Sequence, residues 1–184
     1  MKKIRVLSLL TLCLAVMFLF AGCGVKHGSP EGVVKSLVKY SEKGKEKKVL
    51  NCYGTDKNAD GEIKKEAENM IAYYNAMKSK GITLLSCDVI QDYQTYSLVY
   101  ISYEVKLKKD KAYPKIETYL VKKDKKKYYV MPAKEITSEM SQAAASAYKT
   151  FMTTDAYKEY QKSHDAFILK NPSFEEEVAM KLQQ

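Results

Sequence analysis

Residues 96–108 read YSLVYISYEVKLK, and the alternation in this stretch decides the fold. Successive side chains of a β-strand point to opposite faces of its sheet, so every second residue shares a face. One face is apolar or aromatic throughout: Val99, Ile101, Tyr103, Val105 and Leu107. The other face mixes apolar and polar side chains: Leu98, Tyr100, Ser102, Glu104 and Lys106. We therefore predict that the first face lies on the core and that the second is solvated or lines a cavity.

Three further stretches around this one have strand character. They are residues 82–90, residues 116–123 (IETYLVKK) and residues 127–132 (KYYVMP). The last two are joined by a lysine-rich turn around Asp124. Four sequential strands with short links predict an antiparallel meander.

Helical periodicity precedes the strands. Ser29, Pro30 and Glu31 supply a capping hydroxyl, a proline at the first helical position and an acid in the first turn, which predicts a helix over residues 30–43. Residues 45–53 predict a second, shorter helix, and apolar residues at three- and four-residue steps over 63–77 predict a third. The fold class predicted for residues 30–133 is therefore α+β, with three helices on a curved four-stranded antiparallel sheet.

The helical period returns after Pro132. Ser138 is predicted to cap one helix, a second is predicted over residues 155–169, and residues 173–176 (SFEE) predict a capping box for a third. We interpret residues 134–184 as an appended C-terminal helical extension. One face of this extension is too apolar for a disordered segment, so we expect it to pack on the sheet or on itself.

The chain begins with the features of an export signal. Lys2, Lys3 and Arg5 are followed by residues 6–22 without a charged side chain. This apolar run of roughly 17 residues is marginal for a permanent membrane span, which needs about 20. A cleaved signal peptide over residues 1–22 fits the pattern better.

Residues 19–23, LFAGC, resemble the lipobox of bacterial lipoprotein signals. The resemblance implies that Cys23 receives a diacylglyceryl thioether and that the signal peptidase cuts before it. The alternatives are a plain secretory signal or an uncleaved helix, in which Cys23 is incidental. In the lipoprotein, residues 23–29 are predicted to form a flexible tether between the lipid and the domain, because they are polar and carry two glycines. The expected location is the extracytoplasmic face of a Gram-positive cell membrane.

Two further cysteines, Cys52 and Cys87, lie in the predicted domain. In an exported chain these two thiols could form a disulfide. A domain of about 150 residues does not need one for stability, so free thiols are equally compatible.

The order of helices and strands, with the opening SPEGVVKSLVKYSEKGKEKKVLNCYG and the strand pair YSLVYISYEVKLKK and KIETYLVKKDKKKYYVMP, is similar to the NTF2-like superfamily. The closer resemblance is to small lipoproteins with a DUF4878-type domain, and it covers residues 29–133. It implies a cone-shaped sheet whose wide end is closed by helices around a pocket. Some members of that superfamily are isomerases, cyclases or dehydratases, and others only bind or scaffold. No catalytic residue carries over by motif, and fold alone does not give function.

The loop over residues 56–63, DKNADGEI, matches the first eight positions of an EF-hand calcium loop. Its candidate metal ligands are Asp56, Asn58, Asp60 and Glu62. Position 12, which should be a bidentate glutamate, is Ala67. The alternative is an ordinary turn in which Asp60 caps the following helix.

Ten lysines and three acids lie between residues 106 and 127, concentrated at strand ends. They could face an anionic surface such as lipid headgroups, or they could be solvated turns and protected edges. We do not expect nucleic acid as a partner, because export removes the chain from it.

Only two histidines occur, His27 in the tether and His164 in the tail, so the count excludes a His-ligated zinc site or a Ser-His-Asp triad inside the core. The acids and phenol we nominate for a pocket are Asp88, Asp92, Glu104 and Tyr100. We predict a non-enzymatic lipoprotein that binds a small ligand or a protein partner. We expect it to have no cofactor. An NTF2-like enzyme with an unrecognised site and a weak calcium-binding module are the alternatives.

Overall fold

The computed structural model describes residues 24–183. The predicted signal peptide, residues 1–22, and the predicted lipidation site Cys23 lie outside the described residues. The described part of the chain is an α+β structure with a four-stranded antiparallel sheet and six α-helices. The predicted α+β class and the predicted four-stranded antiparallel meander are confirmed. Over residues 24–183, every helix is too short or too polar to cross a membrane.

Three helices precede the sheet: α1 (Pro30–Glu42), α2 (Glu46–Cys52) and α3 (Gly61–Met77). Both predicted caps are confirmed. The Ser29 hydroxyl accepts from the Gly32 amide at 3.0 Å, and the Asp60 carboxylate accepts from the Glu62 amide at 2.9 Å. Each cap satisfies an amide that has no partner within its helix.

The sheet consists of β1 (Ile82–Asp92), β2 (Tyr96–Lys106), β3 (Ala112–Asp124) and β4 (Lys127–Val130), in that spatial order. In the β2–β3 pair, Ile101 lies opposite Glu117 and Tyr103 opposite Lys115. β4 pairs only with the last residues of β3, from Val121 onward. The first part of β3 therefore has β2 as its one strand partner.

The inner face of the sheet packs on α1 and shares one apolar core with α2 and α3, so this face lies on the core as the alternation predicts. Val99, Ile101, Tyr103 and Val105 are at most 1% exposed. They share a core with Val33, Leu37 and other residues of α1.

The C-terminal helices α4 (Ser138–Phe151) and α5 (Asp155–Lys170) cover the outer face but leave cavities against it. Tyr100 and Glu104 line one of these, of ≈ 280 Å³, so the alternative that this face lines a cavity is confirmed there. The ring centroids of Tyr100 and Phe151 are 4.5 Å apart. Leu98, which lies on this face, is buried with Met131 in a second apolar cluster. The extension therefore packs on the sheet, which is one of the two predicted arrangements. Helix α6 (Phe174–Leu182) lies beside α3, where Lys181 Nζ donates to the Ala76 carbonyl at 3.4 Å.

Two predicted caps in the extension are corrected. Thr137, not Ser138, caps α4, and its hydroxyl accepts from the Met140 amide at 3.2 Å. Ser173 makes no side-chain cap to α6, because its hydroxyl donates to the Glu177 carboxylate at 3.0 Å instead. The acids in the first turn of α6 still stabilise the helix, because their negative charges lie at the positive end of its dipole.

Residues 24–29 differ from the flexible tether predicted for them, because they lie against the domain. The Tyr128 amide donates to the His27 carbonyl at 3.0 Å, and His27 Nδ1 is 2.8 Å from the Tyr128 carbonyl oxygen. The Lys26 amide donates to the Ser36 hydroxyl at 3.0 Å. The His27 ring also lies 4.7 Å from that of Tyr129. Aromatic and hydrogen-bonding contacts of one side chain therefore hold a segment that composition alone assigns to a linker.

Candidate functional site

An open cavity of ≈ 400 Å³ lies between α3 and the inner face of β3. We call it the tyrosine cleft. Its walls are four tyrosines and a methionine: Tyr53, Tyr73, Tyr74, Tyr119 and Met70. Its other lining residues are polar: Glu66, Asn69, Lys115 and Glu117.

Two periodicities bring these side chains together. Residues 115, 117 and 119 of β3 share the inner face, because strand side chains alternate. Glu66, Met70 and the Tyr73–Tyr74 pair follow one another at helical spacing along α3, so they share the helix face above the strand. The cleft lies where β3 continues without β4 beside it.

Glu117 is the centre of a hydrogen-bond network in the cleft. Its Oε2 accepts from the phenols of Tyr103 and Tyr119, both at 2.8 Å. Its Oε1 lies 2.7 Å from Lys115 Nζ. Three donors of the protein therefore bind one carboxylate that is only a quarter exposed, at 25%.

The network continues into the core through Tyr74, whose phenol oxygen is 2.8 Å from that of Tyr103. Because the Tyr103 proton is directed to Glu117, Tyr74 is the donor in this contact. Burial raises the pKa of Tyr103 well above its ordinary value, with the Glu117 charge as the next cause. Burial likewise raises the pKa of Tyr74 and Tyr119. All three phenols therefore keep their protons and act as fixed donors.

A second carboxylate, Glu66, stands at the other side of the cleft. Its Oε1 accepts from the Tyr53 phenol at 3.0 Å, and its Oε2 accepts from the Ala133 amide at 3.1 Å. Burial raises the pKa of Tyr53, and Glu66 is the second cause. Glu66 thereby ties α3 to the segment that follows β4.

The cation of the cleft is Lys115, whose side chain is 12% exposed. Its ammonium lies 3.9 Å from the centroid of the Tyr73 ring, a close cation–π contact, and pairs with Glu117 on its other side. Two carboxylates and one ammonium line the cleft, so its own charges leave an excess of one negative charge.

The hydrogen bonds of the cleft hold both of its carboxylates in fixed orientations. Three protein donors bind Glu117 and two bind Glu66, so each carboxylate, with about four acceptor sites, keeps capacity for a further donor. What the cleft offers a ligand is aromatic surface and a negative potential.

The predicted calcium ligands have structural partners. Asp56 accepts from the Asn58 amide at 2.8 Å, and Asp60 caps α3 and lies 3.2 Å from Lys134 Nζ. The bond from the Glu62 amide, and then Lys134, lower the pKa of Asp60. Within residues 24–183 no three acidic, histidine or cysteine side chains form a group that could hold a metal ion. The calcium site remains a prediction.

Cys52 and Cys87 are free thiols and do not form a disulfide with each other. Cys52 is buried, and Cys87 lies with its sulfur 3.8 Å from the Glu31 carbonyl oxygen. Burial raises the pKa of each thiol to about 12.

The acids nominated from sequence lie away from the tyrosine cleft. Asp88 binds the Val89 amide, and Asp92 binds Gln94 and Ser97 near the β1–β2 turn. The other two, Tyr100 and Glu104, line a cavity of ≈ 280 Å³ between the outer face and α5, as nominated, and Asp88 lines a neighbouring cavity with Tyr100.

Sequence reasoning missed Tyr103, Glu117 and Tyr119 as a site. The available signal was Tyr103 itself, because a tyrosine on an otherwise aliphatic core face needs a partner for its hydroxyl. The second histidine, His164, lies 3.0 Å from a Glu175 carboxylate oxygen on α6.

The lysine-rich region does not form one basic surface. Successive links of a meander lie at alternate ends of the sheet, so the lysines of residues 107–111 and those of residues 123–127 face opposite ends. Lys115 lies in the cleft between them. A single flat partner could therefore engage only one of the two turns.

Comparison of the chain with protein-family models and with curated proteins found no match.

Proposed function

We propose that this protein is a bacterial lipoprotein, anchored by lipid on Cys23 at the extracytoplasmic face of the membrane, whose domain binds a small ligand in the tyrosine cleft without catalysis. The observation that carries the binding role is the cleft itself, an open aromatic cavity of ≈ 400 Å³ with the Glu117 network on one wall. Cavities of ~300–1,000 Å³ with apolar walls and a few convergent polar groups are typical ligand sites.

The anchor is supported by residues 19–23, LFAGC, after an uncharged run with basic residues before it. The domain is further proposed to be NTF2-like. Three helices that precede a four-stranded meander and leave a cavity on its inner face support this assignment.

The charges of the cleft indicate the ligand class. Glu66 and Glu117 outnumber Lys115, and tyrosine rings attract cations through their π faces. An anion would have to approach two carboxylates. The proposed ligand is therefore a small, mainly apolar molecule with one positive charge, such as an amine with an aromatic or aliphatic body.

Three aromatic compounds of similar size test the ligand class: benzylamine, benzyl alcohol and benzoate. Titration calorimetry on the purified protein should rank their affinities in that order. The Tyr73→Ala variant should weaken benzylamine binding, whereas Tyr148→Ala, a tyrosine of α4 outside the cleft, should not. Equal affinity for all three compounds, or no binding of any, would contradict the proposal.

The anchor is tested separately by intact-protein mass spectrometry of the membrane fraction. The expected species begins at Cys23 and carries the mass of a diacylglyceryl group. An intact Met1, or an unmodified Cys23, would refute the anchor and leave the cleft experiment unaffected.

A further inference from the structure

A second cavity, separate from the tyrosine cleft, lies between α1 and the start of β1. Its volume is ≈ 320 Å³. Ile82, Leu84 and Ile101 form its apolar side, and Ile101 is 1% exposed. Gly24, the first described residue, lines it as well. We call it the N-terminal pocket.

One wall of the N-terminal pocket is a row of lysines on α1. Lys35 and Lys39 lie one helical turn apart, and Lys43 follows after a further turn at the C-cap. None of the three forms a salt bridge with any of residues 24–183. Like charges at this spacing repel one another. The one acid in the lining, Glu42, accepts a hydrogen bond from Ser79 at 3.0 Å. The pocket therefore combines an apolar floor with an excess of positive charge that an anion would relieve.

The surroundings of the pocket also carry apolar and basic groups. Leu84, which lines the pocket, is 37% exposed on the edge strand β1. The basic turn over residues 107–111 lies at the same end of the sheet, because the Lys106 amide donates to the Gly81 carbonyl at 2.8 Å. Apolar side chains beside lysines are the groups that contact a membrane interface.

We infer that the N-terminal pocket binds an anionic phospholipid of the membrane to which the chain is attached. Its phosphate lies among the lysines of α1, and the upper part of an acyl chain lies against Leu84 and Ile82. Because Gly24 lines the pocket and Cys23 directly precedes it in the sequence, the proposed anchor and the bound lipid enter the same leaflet. The inference rests on the membrane attachment proposed above. It adds a specific lipid site and fixes which end of the sheet faces the bilayer.

The full chain is produced in a bacterial host whose membrane contains both phosphatidylethanolamine and phosphatidylglycerol, and is purified in a non-ionic detergent for native mass spectrometry. We expect one retained phosphatidylglycerol per chain, in excess of its share of the membrane lipid. The double variant Lys35→Gln/Lys39→Gln should lower the retained fraction on the order of tenfold. The matched double variant Lys158→Gln/Lys162→Gln, on exposed residues of α5, should retain the lipid.

A Leu84→Ser variant tests the apolar side of the pocket without changing its charge, and it should also lose the lipid. If the lysine variant does not fold, lipid retention by Leu84→Ser decides whether the pocket binds phosphatidylglycerol. Retention of both lipids in proportion to the membrane, equal loss in the two lysine variants, or retention of inorganic phosphate alone would overturn the inference. The same spectra give the mass of the chain itself. A chain without lipid on Cys23 that still retains phosphatidylglycerol would refute the anchor only.

Discussion

Tyr103 donates a hydrogen bond of 2.8 Å to Glu117 diagonally across the β2–β3 pair, although its direct partner in the register is Lys115. Diagonal neighbours in an antiparallel pair are within reach of long side chains. The contact links a fully buried phenol to a carboxylate on the wall of the tyrosine cleft. This hydrogen bond therefore couples the core to the proposed ligand site.

Replacing Glu117 by alanine should lower the free energy of unfolding by about 2 kcal/mol, because it leaves two phenols and the Lys115 ammonium without their acceptor. Glu117→Gln should cost less, since it keeps one oxygen acceptor. Urea denaturation followed by circular dichroism gives both values. Glu139→Gln, at an exposed position of α4, should change stability by less than about 0.5 kcal/mol. A Glu117→Ala variant as stable as the parent would show that the network adds nothing to the fold.

The parts of the fold that follow from periodicity were predictable. The alternation over residues 96–108 placed Val99 and Ile101 on the core, and the Ser29 and Asp60 caps marked two helix starts within a residue. These are local properties, since each depends on a few neighbours in sequence.

The site was not predictable, because it depends on which face stays accessible. The mixed face with Tyr100 and Glu104 predicted a cavity, and both residues line one, but helices of the C-terminal extension form its other wall through long-range contacts that no local pattern shows. Glu117 gave no signal, because its partners come from β2 and from its own strand in a register that sequence does not reveal. The docking of His27 on Tyr128 joins residues 101 positions apart, beyond any local pattern.

Acid should weaken the start of α3 through Asp60. The Glu62 amide, and then Lys134, lower the folded-state pKa of this carboxyl, so its stabilising effect is complete above the unfolded value near 3.8 and is lost as pH falls through the folded value. Asp60→Asn keeps a cap acceptor but has no charge. Its urea midpoint should therefore fall less than that of the parent between about pH 5 and pH 2.

Asp110→Asn, in the exposed β2–β3 turn, is the control for this experiment and should follow the parent. Parallel acid dependence of the parent and Asp60→Asn would mean that the lowered pKa does not contribute to stability.

Cys52 should resist alkylation in the folded protein. With a pKa of about 12, only about one thiol in 10,000 is ionised at pH 8, and the thiolate is the reactive form. Cys87, which is half-buried with its pKa raised to about 12, should also react slowly. Peptide mapping after iodoacetamide treatment should find both residues unmodified in the folded state and modified in urea. Labelling of Cys52 at the unfolded rate would contradict its burial.

The contacts of His27 should decide whether the chain next to Cys23 is fixed on the domain. Its ring nitrogens contact the Tyr128 carbonyl at 2.8 Å and Asn51 Oδ1 at 3.0 Å, and the ring packs on Tyr129. His27→Ala removes all three contacts and should lower the free energy of unfolding by about 1–2 kcal/mol. The Tyr128 amide, which donates to the His27 carbonyl, should then exchange its hydrogen faster.

The released segment should also become accessible to trypsin at Lys26, whose amide otherwise donates to the Ser36 hydroxyl. His164→Ala, in the C-terminal extension, is the matched control and should leave both the Tyr128 exchange rate and cleavage at Lys26 unchanged. Unaltered exchange at Tyr128 in His27→Ala would mean that the backbone bond alone holds the segment. Rapid cleavage at Lys26 in the parent protein would mean that the segment is a free linker, and the domain could then turn relative to an anchor on Cys23.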